Sequence, residues 1–173
     1  MRSALRCMLA SVVVGLVIVL SLSSCGFSDH PSDKRAYSDS NDGSKNMEEA
    51  LGRFRIPAPP CETVNLRYSA LNGGLSLPAL YLKFGAGREC VQEFLRALIG
   101  DDSEVAGAMH RVEGAVVPLS RAGEDYGWKF EDETEYLGYR ASIHDSVGVV
   151  GIDVFVDDRL SVWEVYLRAY IDE

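Results

Sequence analysis

Catalytic signatures are missing from these 173 residues. There is no G-x-S-x-G, which removes the strained nucleophile turn of serine hydrolases, and no G-x-x-x-x-G-K-[ST] to cradle a phosphate. Cysteine is scarce, and no Cys-x-x-Cys or adjacent activating base suggests thiol redox chemistry. Histidine is scarcer still. His30, His110 and His144 lie far apart, without H-x-x-x-H spacing or a cysteine pair to complete a zinc site, so no metal or other cofactor is expected. Positive charge is also short: 17 basic residues face 26 acidic ones, for a net charge of −9. Removing Arg2 and Arg6 with a leader would take that to −11. Such a surface repels nucleic acid and anionic lipid head groups.

Long apolar runs are lacking too, with one exception at the N-terminus. Met1 to Arg6 carries two arginines and no acid, Cys7 to Leu22 is uncharged, and Leu22-Ser23-Ser24-Cys25-Gly26 closes on small residues. A basic start, an apolar stretch and a small-residue site make a secretory signal over 1–24. As a helix the apolar stretch reaches roughly 24 Å, short of a hydrocarbon core about 30 Å thick, so export fits better than a permanent span.

The ending Leu22-Ser23-Ser24-Cys25 resembles the lipobox of bacterial lipoproteins. That resemblance implies a lipidated Cys25 as the first mature residue, held at the extracytoplasmic face of the cell membrane. One acyl chain binds membranes only marginally, whereas a diacylglycerol makes a lasting anchor. Arginine outnumbers lysine thirteen to four, a bias of GC-rich genomes. The whole chain is similar to small actinobacterial lipoproteins without an assigned role, a likeness that transfers no site.

With Cys7 in the signal and Cys25 under lipid, Cys61 and Cys90 remain. An even pair in an oxidising compartment reads as a disulfide. Residues 63–70 alternate as a strand, Asn72-Gly73 is a hairpin signal, and residues 78–84 alternate again. A hairpin brings Gly85 back near Cys61, and Cys90 lies one turn into the following helix.

Residues 25–46, polar and rich in Ser and Asp, read as lipidated cysteine and flexible tether. Residues 47–173 read as a single α+β domain. A short helix begins after Asn46, with Glu49 completing a capping box, and Pro57 to Pro60 ends it. Residues 87–99 place Cys90, Val91, Phe94, Leu95 and Leu98 on one helical stripe before Gly100. Ser103 is a cap for a helix reaching about Val112, 115–117 is a short strand, and the acidic stretch 124–133 is loop. Three more strands follow at 135–143, 149–156 and 160–171. The expectation is an antiparallel sheet of about five strands with helices packed on one face and one internal disulfide.

Two features are candidates for function. The acidic group Glu124, Asp125, Glu131, Asp132, Glu133 and Glu135 lacks the spacing of a calcium loop and reads as solvated. The second is the sheet face opposite the core. If Trp163, Val165, Leu167, Ala169 and Ile171 point inward, then Tyr166, Arg168 and Tyr170 point the other way. They are joined there by Arg67, Tyr81, Tyr136, Arg140 and Phe155. Tyrosine with arginine is the mixture enriched at binding interfaces. The sequence therefore predicts a lipid-anchored, non-catalytic domain binding an envelope protein or a small ligand. The alternative is an envelope hydrolase using paired carboxylates.

Overall fold

A computed structural model describes residues 33–73, 77–119, 123–145 and 148–172. The signal region 1–24, Cys25, His30 and Gly74 of the first turn lie outside the described residues.

Cys61 and Cys90 form the disulfide, with Cα atoms 6.0 Å apart. The hairpin that brings them together is β1 (Val64–Leu71) and β2 (Ala79–Gly87), paired antiparallel with Tyr68 opposite Leu82. Asn65, at a left-handed φ of 54°, accompanies a register shift between Val64 and Arg67. The remaining strands are β3 (His110–Glu113), β4 (Glu135–Asp145), β5 (Gly148–Asp157) and β6 (Val162–Asp172). All pairs are antiparallel, and the order across the sheet is β1-β2-β6-β5-β4-β3. The sheet thus has six strands. β3 is the addition, and it falls where a helix was expected.

Three helices are present among the described residues: α1 (Met47–Arg53), α2 (Arg88–Ile99) and α3 (Asp102–Ala108). All three contribute to one face of the sheet. Leu51 and Phe54 from the α1 region and Val91, Phe94 and Leu95 from α2 pack against Leu80, Leu82, Phe84, Ile152, Val154, Val165 and Leu167. Val105 of α3 reaches the margin of that core. Asn46 caps α1 by accepting from the Glu49 amide. α3 is capped by Asp101, in a reciprocal capping box with Glu104, rather than by Ser103. It ends at Ala108 because the chain turns extended at Met109 to enter β3. Residues 114–116 form a 3₁₀ turn, not a strand.

The polar stretch 33–46 is not free of the domain. It lies along the outer edge of β1, bridging Ala36 to Tyr68 in parallel sense. The Tyr37 amide donates to the Tyr68 carbonyl (2.7 Å), the Tyr68 amide to the Arg35 carbonyl (3.0 Å), and the Asn41 amide to the Ala70 carbonyl (2.8 Å). Composition measures apolar burial and misses this gain: an edge strand offers unpaired backbone groups that any sequence can satisfy. Asp33 ties the far end down. It accepts from the Arg35 side chain and from the Met47 amide at the start of α1. The Arg35 guanidinium holds its carboxyl down to about 2.

Candidate ligand-binding face

Strand alternation assigns the sheet's second face as expected. The environment there differs from the open aromatic surface that alternation alone suggests. Tyr136, Phe155 and Tyr166 are 1%, 4% and 4% exposed, in a second hydrophobic cluster with Val117, Leu119 and Trp128. Residues 114–119 and 123–134 fold across this half of the face and supply the cover. Phe130 sits 4.8 Å from the Tyr166 ring and 5.2 Å from Tyr136, and Trp128 sits 5.5 Å from Tyr166. Tyr81 is half-buried beside Trp128 and Tyr126. These residues are therefore core or near-core. A sheet with apolar groups on both faces must cover both, and the irregular segment does so.

The Tyr166 hydroxyl donates to Glu164 at 2.6 Å, and Lys83 bridges to the same carboxylate at 3.3 Å while lying 5.0 Å over the Tyr166 ring. Burial first, then the Glu164 carboxylate, pushes the Tyr166 hydroxyl far above its ordinary pKa, so it stays protonated as a donor. Tyr126 is likewise raised by burial, and its hydroxyl donates to Asp39 at 2.8 Å. Asp39 belongs to the docked stretch 33–46, so cover and N-terminal stretch are joined.

The other half of the face is left uncovered by the described residues and carries charge. Register aligns Arg140 with Asp153 and Asp153 with Arg168 in one row across β4, β5 and β6. Asp153 is only 1% exposed, accepting from Arg140 Nε at 2.6 Å and from Arg168 Nε at 3.1 Å. Two guanidinium charges thus meet one carboxylate. The Asp153 carboxylate beside it raises Arg140 above its ordinary value. Arg168 lies 5.1 Å over the Tyr170 ring, and Tyr170 lies across Gly151, where a Cβ would collide with the phenol. The Arg140 side chain remains 59% exposed. Arg67, at the far side, is exposed and stacks 4.8 Å over Tyr37. Of the eight sequence candidates, the structure brings Arg140, Arg168 and Tyr170 together at a surface, and Arg67 stands apart.

A cavity of about 280 Å³ opens beside Arg140, lined by His110, Val112, Val116, Pro118, Tyr139 and Phe155. It forms at the sheet margin, where β3 pairs with β4 only over 135–138. Gly138 has no side chain for a close-packing reason, since a Cβ would lie 2.7 Å from Val112 and 3.0 Å from Phe155. Sequence reasoning missed Val112, Val116 and Pro118, which sit in short, aperiodic elements. A second, more open cleft of about 610 Å³ runs beside the disulfide, bordered by Glu62, Arg88, Glu89 and Glu93.

Among the described residues, no three His, Cys, Asp or Glu side chains converge to hold a metal ion. In the acidic group, Glu131 is engaged by Thr134 and Arg159, which hold its carboxyl below the usual range. No family model, curated protein or solved structure matches the chain.

Proposed function

We propose that this chain is an extracytoplasmic lipoprotein whose domain binds a partner or small ligand and performs no chemistry on it. The observation that carries the reading is the basic, apolar and small-residue succession that ends at Leu22-Ser23-Ser24-Cys25. The Cys61–Cys90 bond supports it, because structural disulfides persist in oxidising compartments. Among the described residues no helix is long and apolar enough to cross a membrane, and a lipid anchor requires none. For binding rather than catalysis, the support is the uncovered arginine row beside an apolar cavity. The carboxylates whose pKa is displaced (Asp33, Glu48, Asp101, Glu131 and Asp157) are all lowered by donors around them. A proton-donating acid needs the opposite displacement.

Cys25→Ser tests the anchor. The variant should leave the membrane fraction or accumulate as an unprocessed precursor. Detergent partitioning and mass indistinguishable from wild type would overturn the lipoprotein reading.

A further inference from the structure

The cavity beside Arg140 has two unlike walls. One comes from the cover: Val116 and Pro118, with Val112 of β3 at its root. The other comes from the sheet: Phe155, with Arg140 and His110 at the rim. Apolar jaws with a few placed polar groups are the usual composition of small-molecule sites. At 280 Å³ the space is at the small end of such sites, enough for one short chain and too small for a folded partner's surface.

The charge is fixed as well as placed. Asp153 takes Nε of Arg140, which orients the guanidinium and leaves its two terminal amino groups without a hydrogen-bond partner among the described residues. A planar pair of parallel donors matches a carboxylate. Arg168, held on the other oxygen of Asp153, leaves the row with one positive charge beyond what that carboxylate neutralises. In a chain of net charge −9, a local positive excess beside apolar walls selects an anion with an apolar tail.

We propose that this cavity binds a small apolar carboxylate, a free acyl chain of about six to eight carbons, with its tail between Val116, Pro118 and Phe155 and its head on Arg140. This rests on the binding-domain reading above and gives it a ligand class.

Equilibrium dialysis of radiolabelled hexanoate tests it, using the full exported chain in phosphatidylcholine vesicles with empty vesicles as the blank. Binding should saturate at one hexanoate per chain. Arg140→Gln should weaken it about tenfold, the value of a charge-assisted hydrogen-bond pair. Val116→Asp, at a residue 63% exposed, should abolish it by placing a carboxylate in the tail site without touching the core. Hexanol should bind at least about tenfold more weakly than hexanoate. The proposal is overturned by non-saturable binding, by binding that ignores both substitutions, or by acetate competing as well as unlabelled hexanoate. The last result would mark a bare anion site. Vesicle association of the chain, read in the same samples, reports the anchor independently of any ligand.

Discussion

Truncating Tyr166 separates a covered face from an open one more sharply than any other change. Tyr166 is 4% exposed, its ring meets Phe130 at 4.8 Å and Trp128 at 5.5 Å, and its hydroxyl donates to Glu164 at 2.6 Å. Removing a buried aromatic side chain costs about 3–5 kcal/mol through lost transfer energy and the cavity left behind. Each ring pair contributes about 0.5–1.5 kcal/mol of that. Tyr166→Phe keeps the ring and loses only the hydrogen bond, so it should cost about 1 kcal/mol. Tyr170→Ala, four residues along on the uncovered half, should cost under about 1 kcal/mol. Urea unfolding followed by tryptophan emission reads all three, because Trp128 is in the affected cluster and Trp163 is in the other. A Tyr166→Ala variant within about 1 kcal/mol of wild type, with unchanged native emission, would show that Trp128 and Phe130 do not pack on this face.

Two further changes test how the ends of the domain are fastened. The Arg35 side chain holds the Asp33 carboxyl at about 2, below its ordinary 3.8. A lowered folded pKa contributes stability that is complete above about pH 4 and is lost as pH falls toward 2, so Asp33→Asn should cost about 2 kcal/mol at neutral pH and little at pH 2. Equal urea midpoints at neutral pH would mean that the stretch 33–46 is not docked. Opening the Cys61–Cys90 bond, which closes a 29-residue separation, should cost roughly 3–4 kcal/mol in the chain-entropy model. Neither cysteine of the folded protein should take a thiol label before reduction, and ready labelling of both in exported material would refute the bridge.

The long strands and α2 were legible because each has a sustained period. Val150, Ile152, Val154 and Val156 alternate over four pairs, and Cys90, Val91, Phe94 and Leu95 recur at helical spacing, so burial on one side writes itself into the sequence. The disulfide followed from hairpin closure. Residues 101–134 were not legible, for a physical reason. α3 buries no residue, β3 is the four-residue HRVE, and Val117, Leu119, Trp128 and Phe130 come from irregular chain with no repeat to detect. Periodicity also says which residues oppose a core without saying whether something covers them. That is why Tyr136, Phe155 and Tyr166 read as surface while they are interior. Asp153 shows the same limit in reverse: its polarity suggests exposure, yet two arginines on neighbouring strands make its burial tolerable.

Docking of residues 33–46 on β1 changes the geometry of the proposed anchor. A free tether to residue 46 would let the domain turn in any direction above the membrane. Asp33, fastened to Arg35 and to the start of α1, lies eight residues after Cys25 in the sequence. Eight residue steps span at most about 29 Å when fully extended. A lipid on Cys25, as proposed, would therefore hold the β1 edge of the sheet toward the membrane. Strand order places β4 and β3 at the opposite edge. The cavity between Val116 and Arg140 lies at that edge, four strand spacings of about 4.8 Å beyond β1. If Cys25 carries the proposed lipid, attachment on the β1 side would present the arginine-lined cavity away from the bilayer, where a soluble carboxylate can reach it.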